Sequence, residues 1–352
     1  MQKDKFIVTL LLLLLVVLPI GNLTGLIAID TVTVWGRYLC FAIAAIGVDL
    51  IWGYTGIMSM CQAFFFCLGA YGMGMFLTLF NLPEGAVVPQ FMEWNEITSL
   101  PLFWQPFQTF GGTIVATAII TIGFAMISDF IFKRRIKGVF FAIITQAIAW
   151  AMFLLFSRNE TLLGGTNGLT NFPYLLGFDL RSDAVKLGLY ITTVVMLGLI
   201  YWGSLKLTQS KFGKLLVGIR DSESRLRFTG YKVSQFQTAV FVIGALIAMV
   251  AGMLYLPQTG IITPGKMDVR ASIEMLIWVA LGGRGSLKGA IIGALIVNLL
   301  YSVFTTIMPD AWPYILGAIY VITVLYLDKG VLGLGKKIIE QLKTRGLTLA
   351  KK

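Results

Sequence analysis

Long apolar runs recur along the whole chain, each closed by a short cluster of charged residues, glycine or proline. A helix needs about 20 apolar residues to cross a bilayer. A window of that length predicts spans near residues 6–27, 33–52, 63–81, 110–132, 139–156, 186–204, 236–256, 272–283, 287–307 and 314–328. The expected fold is all-α and polytopic, with about ten transmembrane helices in a single domain over residues 1–335 and a basic tail over 336–352. The first run, MQKDKFIVTLLLLLLVVLPIG, also has the basic flank and apolar stretch of a signal peptide. No small-x-small cleavage site follows closely and a retained helix completes the count, so it is kept in the chain.

Two segments break the apolar pattern as simple spans do not: WGYTGIMSMCQAFFFCLGAYGMG from Trp52 to Gly74, and ALGGRGSLKGAIIGALIVN from Ala280 to Asn298. Glycine permits close helix packing and unusual backbone angles, and unwound backbone survives at membrane depth only inside protein or along an aqueous cavity. Tight small-residue packing and a broken helix beside a permeation path both satisfy these segments. Each descends from the outer face and returns, which is the pattern of a weak internal repeat. Gln146 in FFAIITQAIAW and Asn298 in GALIVNLLYSV are polar, uncharged and deep in their runs. Such residues either hydrogen-bond between helices or line a path. Asp49, Asp129 and Glu274 fall nearer span ends, where headgroups or water make a carboxylate less costly, and no line of carboxylates suggests a proton relay.

Charge orients the spans, because Lys and Arg concentrate on the cytoplasmic side. With ten spans, Lys3 and Lys5, the group Lys133, Arg134, Arg135 and Lys137, and the tail from Lys329 to Lys352 share one face, which puts both termini in the cytoplasm. Lys206, Lys211, Lys214, Arg220, Arg225, Arg227 and Lys232 fall on that face too. The loop from Leu82 to Thr109 has Glu84, Glu93 and Glu96 but no Lys or Arg, and is expected outside with Trp94 and Trp104 as interface anchors.

Composition narrows the function classes. The 352 residues are 57% hydrophobic and 13% charged, with a mean hydropathy of +0.84, so there is no room for an extended soluble domain. The formal charge of +11 belongs to cytoplasmic loops and anionic headgroups, and no nucleic-acid partner is expected. The chain has no histidine, which removes Ser-His-Asp and Cys-His catalysis, His-metal sites and the usual proton shuttle. No GxxxxGK[ST] occurs, so this chain does not bind ATP through a P-loop. Cys40, Cys61 and Cys67 lack metal-type spacing and read as small buried hydrophobes. No catalytic residue, metal ligand or bound cofactor is expected.

Between two spans lies a charged segment, KFGKLLVGIRDSESRLRFTGYK, from Lys211 to Lys232. Leu215, Ile219 and Leu226 follow one helical stripe with a gap near Ser222, while Arg220, Glu223 and Arg227 lie off it. Gly213 and Gly230 bracket the helix. An amphipathic helix of this kind either rests on cytoplasmic headgroups or docks in a partner's groove.

On these residues the chain resembles the permease subunits of branched-chain amino-acid-type ATP-binding cassette importers, and most closely their urea-transporting branch. The resemblance covers nearly the whole chain: LIWGYTGIMSMCQAFFFCLGAYGMGM, RRIKGVFFAIITQA, RNETLLGGTNGLTNF, FGKLLVGIRDSESRLRFTGY, PQTGIITPGKMDVRASIEMLIWVALGGRGSLKGAIIGA and LYLDKGVLGL carry it. The urea branch rests on RIKGVFFAIITQA, RDSESRLRFTGY and SIEMLIWVALGGRGSLKGA. The resemblance implies an importer permease with glycine-rich broken helices, paired with a homologous second permease. It further implies two cytoplasmic ATPases that hold ATP and Mg2+, and an extracytoplasmic substrate-binding protein. Residues 211–232 would then include the coupling helix, with Gly213, Ile219, Arg220, Asp221, Glu223, Arg225 and Gly230 as its candidate contacts. The broader importer pattern has a Glu-Ala-Ala run before a glycine; here the order is Glu223-Ser224-Arg225 and then Gly230.

Gly53, Gly56, Gly282, Gly283 and Gly285 would shape the central path, and the RNETLLGGTNGLTNF loop would face the binding protein. For urea, neutral amides and hydroxyls suit a cargo with N–H donors and a carbonyl but no charge, which makes Gln146, Thr145, Asn298, Tyr54 and Ser59 the path candidates. The expected role is ATP-driven inward transport of urea or a short amide by alternating access, serving nitrogen uptake at the bacterial plasma membrane, which is the inner membrane in a Gram-negative cell. A permease for branched-chain amino acids and a passive urea channel are the alternatives. An intramembrane enzyme is disfavoured by the missing histidine and nucleophile arrangement.

Overall fold

The apolar runs fold as helices whose ends fall at glycine, proline and polar residues. A computed structural model describes residues 5–83, 85–134, 136, 138–326 and 330–333. In chain order the helices are α1 (Lys5–Leu23), α2 (Ile29–Thr55), α3 (Gln62–Phe80), the short α4 (Gln90–Glu93), α5 (Phe110–Lys133), α6 (Val139–Phe156), α7 (Asp183–Gln209), α8 (Lys211–Phe228), α9 (Val233–Thr259), α10 (Val269–Gly282), α11 (Leu287–Ile307) and α12 (Trp312–Tyr326). Each predicted span has its helix. Among the described residues, α2, α3, α5, α6, α7, α9 and α11 are long and apolar enough to cross a membrane. The 14 residues of α10 reach only about 21 Å, short of the roughly 30 Å hydrocarbon layer. The tail expected over 336–352, with Lys3, Glu84, Arg135, Lys137 and Lys329, lies outside the described residues, as does the side chain of Asp129.

The centre is built around α9, which packs on α2, α3 and α5, while α7 and α11 close on α2. Lipid tails are as apolar as leucine, so helices associate in a bilayer by close packing rather than by escape from water. Small residues provide that closeness: Gly252 of α9 lies against the Phe66 carbonyl and the Ala70 amide of α3. The glycines of α10 and α11 make the same kind of contact, Gly282 against Gly289. Outward, α5 exposes Ile119 and Ile127, α6 exposes Ile143 and Trp150, and α7 exposes Val195 and Leu199, faces suited to lipid.

Where α2 ends, Gly56 takes a left-handed φ of 75° and its N–H donates to Trp52 O. The chain then runs unwound to Cys61 before α3 begins. Its exposed backbone finds partners in protein, as membrane depth requires: the Met60 N–H donates to Thr145 Oγ1 of α6 at 3.0 Å. At the opposite end of the bundle, Leu169–Thr170 pairs antiparallel with Ile261–Ile262, and Asn81 exchanges two hydrogen bonds with the Tyr174 backbone, 2.8 and 3.1 Å. These contacts seat the 157–182 loop on the ends of α3 and α9. Trp94 is 75% exposed, but Trp104 is buried; it packs on Phe103 and Phe107, so only Trp94 is free to reach a membrane interface.

Helix α8 follows α7 after a single residue, Ser210, whose hydroxyl accepts from the Gly213 N–H. It bends at Ser222, which has non-helical angles, where the apolar stripe shows its gap.

Candidate functional site

At the end of the bundle away from α8, three helical faces converge on a cavity of about 640 Å³. From α2 come Val34, Arg37, Tyr38 and Phe41, from α10 Arg270, Glu274 and Trp278, and from α11 Asn298, Tyr301, Ser302 and Thr305. Spacings of three and four residues put each set on one side of its helix. Lys266, from the turn between α9 and α10, and Trp312, at the start of α12, complete the wall.

The lining has both signs of charge: Arg37, Lys266 and Arg270 against Asp268 and Glu274. Asp268 is already engaged, its carboxylate capping α10 through the Val269 N–H at 2.6 Å. Glu274 is therefore the carboxylate left for a guest. Neighbouring Tyr255 first, then Tyr301 and Glu274, raise the Lys266 pKa against the opposing effect of burial, so its ammonium stays charged. Arg37 Nε and Trp312 Nε1 are buried donors with no hydrogen-bond partner among the described residues. Asn298 donates through Nδ2 to Ala294 O at 2.8 Å, which leaves its carbonyl oxygen as the group for the cavity. Unmet donors beside a carboxylate suit a small molecule that offers an accepting oxygen at one end and N–H donors at the other.

A second polar cluster sits at the α8 end, where α2 stops. Arg220 Nη1 of α8 donates to Gly53 O of α2 at 2.9 Å. Asp49 Oδ1 of α2 accepts from the Gly285 N–H in the turn between α10 and α11 at 2.7 Å. Arg284, in the same turn, holds its guanidinium 4.5 Å from the Trp52 ring centroid; burial first, then the nearby Arg220 cation, lower its pKa, while Asp49 opposes them. Asp49 is fully buried. The expectation that this carboxylate rests in headgroups or water is corrected: it lies in the last two turns of α2, under α8 and the α10–α11 turn, with protein on every side.

Of the five path candidates, Asn298 lines the cavity. Thr145 is buried, its hydroxyl shared between Met60 N and the Phe141 carbonyl. Gln146 is half-buried on α6, Ser59 is buried beside Cys61, and Tyr54 meets Thr208 at the α8 end. Of the path glycines, Gly53 and Gly285 join the second cluster with Arg220, Gly56 packs beside Arg220, and Gly282 and Gly283 lie where α10 meets α11. On α8, Gly213 and Ile219 are buried, Asp221 pairs with Arg220, Glu223 pairs with Arg227, and Arg225 is exposed, as is Gly230 just past the end of the helix. Arg37, Lys266, Arg270 and Glu274 were absent from the sequence-derived candidates. Their signal was available, because an ionisable residue inside or beside an apolar run is a functional candidate by default.

A helical membrane protein with glycine-broken spans and a polar cavity between them has the architecture that a permease requires. A family model described as the permease component of the branched-chain amino acid transport system matches residues 30–325, and the chain belongs to this family of ATP-binding cassette importer permeases. It is similar to the high-affinity branched-chain amino acid transport system permease protein LivM of Escherichia coli K12, 23% identical over 94% of this chain and 75% of that protein. It is also similar to the probable branched-chain amino acid transport permease protein LivM of Methanocaldococcus jannaschii, 25% identical over 75% of this chain and 79% of that protein. The xylose transport system permease protein XylH of Escherichia coli K12 is 26% identical over 49% of this chain and 45% of its own length. No solved structure matches.

Proposed function

We propose that this permease conducts a small polar nitrogen compound inward by alternating access, and that the cavity between α2, α10 and α11 receives it from an extracytoplasmic binding protein. The carrying observation is the opposed charge inside that cavity, Arg37 and Lys266 facing Glu274. An amino acid zwitterion matches both signs, and the relatives named for branched-chain amino acid transport support that cargo. Urea or a short amide is the second reading. It is carried by the motifs quoted above and by the donors of Arg37 and Trp312, which a carbonyl oxygen satisfies as well as a carboxylate.

The basic segments support a cytoplasmic position for both termini and α8, with the cavity then opening toward the outside of a plasma membrane. The working unit pairs this chain with a homologous permease and two ATPases, which bind ATP and Mg2+ and move α8. No covalent step occurs in this chain. The test is uptake of labelled leucine and of labelled urea by proteoliposomes that contain the complete complex, with and without ATP. ATP-dependent leucine uptake is expected. ATP-dependent uptake of urea alone replaces the amino acid with the second reading, and urea flux indifferent to ATP sinks the importer mechanism.

A further inference from the structure

We infer that the junction of Asp49, Gly53, Arg220 and Gly285 is the relay through which movement of α8 reaches the cargo cavity, with Asp49 and Arg220 as its positioning residues. This rests on the importer reading above. Four observations carry it.

Arg220 caps the end of α2. Gly53 O is among the last carbonyls of that helix, which lack an amide partner and carry the negative end of the helix dipole, and Arg220 brings a cation to it from α8. A displacement of α8 therefore pulls on α2 at its end. Asp49 then ties α2 to the α10–α11 turn through the Gly285 N–H, so three elements share one hydrogen-bonded knot.

The carboxylate is costly where it stands. Asp49 is fully buried and its Oδ2 has no hydrogen-bond partner among the described residues. A half-satisfied buried carboxylate opposes folding, and the fold keeps this one at the point where the moving elements meet.

Glycine at 53 is what lets Asp49 reach. The aspartate side chain lies along α2 over Gly53, and a Cβ there would run into Asp49 Oδ1 and Gly285 N, with Asp49 Cγ only 2.9 Å away. Helices α2, α10 and α11 also line the cavity farther from this junction, through Arg37, Glu274 and Asn298. Arg37 and Asp49 are twelve positions apart on α2, about 18 Å of rigid helix.

The test compares wild-type with Asp49→Ala, Gly53→Ala, Arg220→Ala and Arg220→Lys in the complete complex in proteoliposomes. Three quantities are read: recovery of the ATPases with the permease, stimulation of ATP hydrolysis by loaded binding protein, and cargo moved per ATP. The expected result is normal ATPase recovery, stimulation reduced toward none, and cargo per ATP lower by on the order of tenfold. Arg220→Lys should retain more coupling than Arg220→Ala. The proposal is overturned if the variants assemble and move the wild-type amount of cargo per ATP, or if Arg220→Ala loses its ATPases, which makes that residue a docking contact. Should Asp49→Ala fail to fold, the exposed Arg220 pair decides the matter alone. A wild-type complex with no ATP-dependent uptake defeats the importer reading itself, whatever the variants do.

Discussion

Replacing Gly252 by alanine adds one methyl group where α9 meets α3. The new Cβ would lie 2.8 Å from the Phe66 carbonyl carbon and 2.9 Å from the Ala70 amide nitrogen, against 3.4 Å for the onset of ordinary contact. The backbones must therefore part by about 0.6 Å from the carbon, and by more from the Phe66 oxygen. Neither neighbour is a side chain able to swing aside, so the helices themselves separate. Overpacking of this kind costs about 1–3 kcal/mol, and more when only backbone can yield. Alanine returns up to about 1 kcal/mol through its better helix propensity. The net expectation is a loss of about 2 kcal/mol or more, seen as a fall of several degrees in the thermal midpoint of the detergent-solubilised protein. Gly123→Ala on α5 is the matched control, because a Cβ there meets nothing within 4 Å; it should be neutral or slightly stabilising. Equal midpoints for Gly252→Ala and Gly123→Ala would refute the view that glycine sets the α3–α9 distance.

Three further outcomes are expected. Glu274→Gln should raise the KM for leucine uptake by on the order of tenfold with little change in the maximal rate, because it removes a charge-assisted hydrogen bond to an ammonium; an unchanged KM would take Glu274 out of the cargo site. Tyr190→Phe should cost about 0.5–1.5 kcal/mol by thermal denaturation, since the buried hydroxyl donates to Leu14 O at 2.9 Å and ties α7 to α1. Phe228, 93% exposed at the end of α8, should act as an anchor in an ATPase groove: Phe228→Ala is expected to reduce co-purification of the ATPases while the permease itself stays folded, and full recovery would remove it from that interface.

The helices were legible in the sequence because a span is a length of apolar chain, and length survives any detail of packing. The gap in the apolar stripe near Ser222 was legible too, but that the helix bends there is read from the structure alone. The cargo cavity was not. Gln146 and Asn298 look alike in sequence, each an amide deep in an apolar run, yet only Asn298 meets the cavity. In a bilayer the core-facing and lipid-facing sides of a helix are both apolar, so periodicity does not reveal which face turns inward. Arg37, Lys266 and Glu274 come from segments more than 200 residues apart in part, and only the crossing of α2 with α10 and α11 brings them together. Asp49 was assigned to the interface from its distance to the span end; what buries it is α8 and a turn encoded far downstream.

The central place of α9 also sets an order of events during synthesis. α2 ends at Thr55 and α9 begins at Val233, about 180 residues later, which at roughly 5–20 residues per second is an interval of some 10–35 s. Until α9 is made, the glycine faces that α2 and α3 turn toward it are bare, and Asp49 lacks Gly285, which is made later still. The early helices are thus inserted before their central partner exists, and a chain cut short before α9 would bring α7 to α2 but leave α2, α3 and α5 without the helix they share.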